Sequence, residues 1–239
     1  MGLEHRHADA VRTAIGWLGV RHFHQSNSGG FVSRLRIMLG VCLTILTPVA
    51  KALDYCGELA NAYGPFDYRT ATAAQKHLVE SAHFLPFIEQ LQRGLSGSLG
   101  SEIDYTLRAF PNHPRALMAM MKLGMKENVR QPRGALWPVE CYFDRAVRFA
   151  PDDPAVRTLY GVYLVKNGSR EAAANELKLA SDALEKTGGD ANLNYNLGLA
   201  YFEMKDYDKA LEQAKKAYAL GFPLPGLRDK LKRVNKWEE

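Results

Sequence analysis

Residues 191–224 read ANLNYNLGLAYFEMKDYDKALEQAKKAYALGFPL. Two apolar runs of helical period are joined at Lys205-Asp206, and Asp190 and Asp206 stand where side-chain oxygens cap a helix start. Gly198, Ala210 and Ala217 supply small residues where two antiparallel helices would cross closely. The same small set occurs 37 positions earlier as Gly161, Ala173 and Ala180, behind Asp153-Pro154, a second helix start. Further back, residues 103–114 (IDYTLRAFPNHP) align with residues 143–154 (FDRAVRFAPDDP) at a spacing of 40, with Asp, Arg and both prolines coinciding. A unit of two helices that returns every 37 to 40 residues cannot bury its apolar face alone and must stack on its neighbours.

These positions resemble the tetratricopeptide repeat (TPR), a 34-residue helix pair with Leu-Gly, Tyr and two Ala at fixed offsets. Leu197, Gly198, Tyr201, Ala210 and Ala217 match, while Asn194 replaces the tryptophan, Ala214 the phenylalanine, and Pro223 is one residue late. The copy at 154–190 keeps Gly161, Ala173 and Ala180 and is three residues long near 186–189. The copy at 114–153 keeps Phe143, Ala146 and Pro151, but carries Met121 where the pattern wants glycine and has a stretched turn at 128–136.

The resemblance covers about residues 111–224 and implies an all-α fold, a right-handed superhelical stack of antiparallel helix pairs. Residues 53–110 are expected to extend the stack. There Thr70 or Thr72 caps a helix through Ala82, residues 85–92 form another, and a third starts at Ser101 with Asp104. Residues 225–239 are expected as capping helix and tail, with Leu227, Leu231 and Val234 on one face and basic residues on the other.

Such arrays bind peptides or partner proteins along the concave surface formed by the first helix of each repeat. Carried over by position, that lining is Arg115, Met118, Lys122, Met125, Thr158, Val162, Val165, Asn192, Tyr195, Asn196, Leu199 and Phe202. A clamp for a terminal carboxylate is excluded, because Thr158, Leu159 and Val162 occupy places that should be polar and Asn196 alone is suggestive. The expected ligand is an amphipathic helix or apolar segment of a protein partner.

Charge points away from nucleic acid. The net charge is +5, yet residues 1–52 hold six basic and two acidic side chains, leaving +1 for residues 53–239. Residues 37–50 (IMLGVCLTILTPVA) carry no charge, follow Arg34 and Arg36, and end before Lys51-Ala52. Fourteen helical residues rise about 21 Å, short of a hydrocarbon core of about 30 Å. Residues 32–52 therefore read as a signal peptide cleaved after Ala52, with export to the periplasm and no stable membrane insertion; the alternative is an inner-membrane anchor. Residues 1–31 read as a leader preceding the true start at Val32.

Signatures of catalysis are missing: no G-x-S-x-G, G-x-x-x-x-G-K-[ST], H-E-x-x-H or paired C-x-x-C occurs. We expect no enzyme, no cofactor and no metal. His77, Glu80 and His83, even with Asp67 as an extra ligand, make a poor metal set, because on a helix the two histidines lie about 240° apart. The glycines of residues 94–101 could open a helix N-terminus to an anion, though a plain loop suffices. Tyr63-Gly-Pro-Phe-Asp-Tyr-Arg69 is an aromatic turn that packs in the fold or meets a partner.

Three function classes remain: an exported adaptor, a membrane-tethered assembly factor, and an enzyme with its site in residues 53–110. Export also bears on the cysteines. Cys42 leaves with the signal, so Cys56 and Cys141 either pair as a disulfide or stay as two buried thiols.

Overall fold

Thr72 opens the first helix with a reciprocal cap: its hydroxyl accepts from the Gln75 amide at 3.2 Å, and Gln75 Oε1 accepts from the Thr72 amide at 2.8 Å. α1 runs Ala73–His83, and α2 is one turn, Pro86–Glu89. Leu91 then turns into the left-handed region at φ 56, so residues 85–92 do not form the longer helix expected of them. α3 spans Leu99–Ala109 and is capped by Ser98, not Ser101, which lies inside the helix. The reason is Glu102, around which the preceding loop folds.

α4 (Pro114–Glu127) starts behind His113, whose Nδ1 accepts from the Ala116 amide at 3.3 Å. α5 (Val139–Phe149), α6 (Pro154–Lys166), α7 (Arg170–Lys186), α8 (Ala191–Glu203), α9 (Tyr207–Ala219) and α10 (Gly226–Arg233) follow. Asp153, Asp190 and Asp206 each accept amide hydrogen bonds at the starts of α6, α8 and α9. The structure is a computed structural model and describes residues 56–238, which lie in one compact unit. The expectations for the leader, the signal and Cys42 fall outside those residues. Among the described residues the chain is all-helical, and no helix is long and apolar enough to cross a membrane.

Packing follows the small residues. α6 lies along α7 and α8 along α9, each pair joined by three residues. A Cβ on Gly161 would stand 2.4 Å from Leu177 Cδ2, and one on Gly198 would stand 2.6 Å from Leu227 Cδ2 and 3.3 Å from the Ala210 carbonyl oxygen. Ala173, Ala180, Ala210 and Ala217 are all buried at these crossings. Between α4 and α5 the glycine is replaced by buried Met121, and these helices meet less extensively. α4, α6 and α8 pack in sequence, α6 against both neighbours. Val162 touches both the N-terminal core around Leu117, Met120 and Phe143 and the C-terminal core around Leu177, Leu197 and Leu227.

Ahead of α1, residues 56–71 form a strap without helix. The sulfurs of Cys56 and Cys141 are bonded, with Cα atoms 5.0 Å apart. Phe66 and Tyr68 close on Phe110, the Phe66 amide donates to the Ala109 carbonyl at 2.9 Å, and the Tyr68 amide donates to Asn112 Oδ1 at 2.9 Å. Gly64, at φ 90, passes so close that a Cβ would stand 2.5 Å from the Ala109 oxygen. The aromatic turn of residues 63–69 thus packs within the fold.

Two carboxylates at the strap, Asp67 within it and Glu80 of α1 beneath Tyr68, make the fold acid-sensitive. The Arg69 hydrogen bond above all, aided by Asn112, holds Asp67 at about 2 against burial. The His113 hydrogen bond, then that of Tyr68, holds Glu80 at about 2. Both lie below their ordinary values of 3.8 and 4.5, so the stability they contribute is complete above about pH 5 and is lost as pH falls toward 2. With about a quarter of each side chain in solvent, the pair is worth about 3 kcal/mol. Urea unfolding at pH 6 and pH 3 should differ by about half of that, since pH 3 still lies above both folded values, and Glu80→Gln should remove at least half of the difference. Equal stability at both pH values would contradict the assignment.

Candidate functional site: a groove across three helices

On the face where α4, α6 and α8 lie side by side, the structure leaves a groove of about 440 Å³. α4 contributes Pro114, Arg115, Met118, Ala119 and Lys122. α6 contributes Ala155, Leu159, Val162 and Lys166, and α8 contributes Leu193, Asn196, Leu199, Ala200 and Glu203. The steps of three and four place each set on one stripe of its helix. The floor is apolar, and the small residues Ala119, Ala155 and Ala200 keep it open.

Polar groups stand at the rim. Arg115 and Glu89 form an ion pair at one end, and Arg115 also lies 5.7 Å from the centre of the Phe84 ring. The Arg115 hydrogen bond holds the Glu89 carboxyl below the usual range. Lys122, Lys166, Asn196 and Glu203 are exposed. Among the described residues Glu89 alone reaches the groove from outside α4, α6 and α8, so the rest of residues 56–113 leave it open.

Of the expected lining, Arg115, Met118, Lys122, Val162, Asn196 and Leu199 are in the groove. Met125 is exposed beyond it, beside Val129 and Tyr163. Thr158 is buried, its hydroxyl donating to the Pro154 carbonyl at 2.7 Å. Val165 and Asn192 lie off the stripe. Tyr195 and Phe202 face the C-terminal end: Tyr195 stacks on Phe222 at 4.0 Å, and Phe202 packs on Tyr207 with Lys230 above it. α8 is therefore turned by about one residue from the consensus expectation, because these two aromatics complete the core under α9 and α10. Ala155 and Leu159 fall at helical spacing before Val162, a periodicity that points to them where the consensus positions do not.

The metal candidates do not converge. Tyr68 Oη donates to Glu80 Oε1 at 2.7 Å, and His113 Nε2 donates to the same oxygen at 3.1 Å. His83 Nδ1 lies 2.8 Å from Glu102 Oε2, and His77 is exposed. No group of three or more His, Cys, Asp or Glu that could hold a metal occurs among the described residues.

The glycine loop does hold an anion, but an internal one. The amides of Leu95, Ser96 and Gly97 donate to Glu102 Oε1 at 3.2, 2.8 and 3.0 Å, joined by Ser96 Oγ at 3.1 Å. Burial would raise the Glu102 carboxyl, but His83 and these donors outweigh it and hold it below the usual range. Compared with models of protein families, with curated proteins and with solved structures, the chain matches none.

Proposed function

We propose that this chain is an exported helical-repeat module of the tetratricopeptide type that receives an apolar or amphipathic segment of a partner protein in the groove across α4, α6 and α8. The observation that carries the reading is an open apolar floor supplied by helices that are not consecutive in the chain. An enclosed core would be filled, and a solvated face would be polar. The small-residue crossings at Gly161 and Gly198 support the repeat assignment. The disulfide supports an oxidising compartment, in keeping with the signal-like residues 32–52.

A capture experiment from envelope extract tests the groove. Met118→Glu and Leu199→Glu, each placing a charge on the floor, should reduce capture at least tenfold. Leu179→Glu, on the exposed side of α7, should leave it unchanged. Thermal melts check that each variant folds. Equal capture by all three variants would contradict the groove, and recovery of the full-length chain in the membrane fraction would favour the tethered assembly factor over the released adaptor.

A further inference from the structure

Arg145 is 1% exposed, and no carboxylate among the described residues pairs with it. Its Nη1 donates to the carbonyl oxygens of Cys56 and Glu58 at 3.2 and 2.5 Å, its guanidinium lies 4.1 Å from the Trp137 ring centre, and its Nε has no partner. Arg148 beside it donates to the Gly57 carbonyl oxygen at 3.0 Å. The other charges it feels are those of Arg108 and Asp104, and Asp104 is already occupied by Tyr142 and Arg108. A buried cation normally has an anion beside it. Here the neighbour is a disulfide: Cys141 lies one turn earlier on α5 at the i, i+4 spacing, and the other half, Cys56, hydrogen bonds Arg145 through its own carbonyl.

We infer that Cys56–Cys141 is an exchangeable disulfide whose reduction supplies the anion that Arg145 lacks, a Cys141 thiolate. The reductant is a small thiol or a dithiol protein. Cys56 is 9% exposed and Cys141 fully buried, so the attacking thiolate reaches Cys56 Sγ. A new S–S bond forms there, the Cys56–Cys141 bond breaks, and its electron pair leaves on Cys141 Sγ, one helical turn before Arg145. A second thiolate attacks the outer sulfur of the mixed disulfide, forming the oxidised thiol and releasing Cys56, which takes a proton from solvent. Two thiols are oxidised and one protein disulfide is reduced. A low-pKa leaving thiol makes the first step faster. Residues 56–58 then lose their covalent tie, while Phe66 and Tyr68 keep the rest of the strap in place.

The full chain with Cys42→Ser tests this with glutathione at pH 7. Arg145→Met should slow reduction at least tenfold, and Arg145→Lys, which keeps the charge, should stay within threefold of the parent. With Cys56→Ser added instead, alkylation of Cys141 by iodoacetamide should show a pH midpoint at least one unit below the ordinary thiol value of about 8.5. A midpoint at or above that value overturns the proposal, as does an Arg145→Met chain that is reduced as fast as the parent or faster. Should Arg145→Met fail to fold, the alkylation midpoint decides alone.

Discussion

Replacing both Cys56 and Cys141 by Ser should lower the stability of the folded chain by about 4–5 kcal/mol. The bond closes a loop with a sequence separation of 85, and the chain-entropy relation gives that magnitude for the freedom it removes from the unfolded chain. The unfolding midpoint should fall by about 10–15 °C. The loss has a location as well as a size. Cys56 ties the strap to α5, so hydrogen exchange at residues 57–61 should rise before exchange in α6–α9 does. Denaturant unfolding of the double variant, with exchange measured on both chains, checks this. A loss below 1 kcal/mol, or uniform loosening of all helices, would mean that the strap is held by its non-covalent contacts alone.

Asp104→Ala should cost about 3–5 kcal/mol. The carboxylate is buried, accepts from Tyr142 Oη at 2.5 Å, from Arg108 Nε at 2.9 Å and from the Leu136 amide at 3.3 Å, and so joins α3 to α5 and to the turn before α5. Its removal strands a fully buried tyrosine hydroxyl and takes away a negative charge that favours the Arg145 guanidinium. Tyr142→Phe removes donor and hydroxyl together and should cost about 1–2 kcal/mol, because Asp104 keeps Arg108 and Leu136. Thermal melts of the two variants and of the double variant give the coupling. Equal losses for both single variants would contradict Asp104 as the hub.

What could be read from the sequence was local or periodic. Asp153, Asp190 and Asp206 cap helices because a carboxylate two or three residues before free amides finds them without help from elsewhere. Gly161 and Gly198 mark close crossings because a Cβ there would press on Leu177 and Leu227. Where long-range partners decided the outcome, the sequence misled. Ser101 was expected as a cap, but Glu102 draws residues 95–97 around itself and moves the start of α3 to Ser98. Tyr195 and Phe202 were expected in the groove, but Phe222 and Tyr207, each from a different segment, hold them in the C-terminal core. Arg145 gave no signal at all, since a lone arginine on an amphipathic helix reads as a surface charge until the strap is laid over it.

Photo-crosslinking from the floor of the groove tests partner binding there most directly. A benzophenone amino acid placed at Val162 or Leu159, in cells producing the full chain, should yield a covalent adduct with a partner protein, and the same probe at Leu179 on the exposed side of α7 should yield none. Adducts from all three positions alike, or none from the groove while Leu179 gives one, would contradict the account.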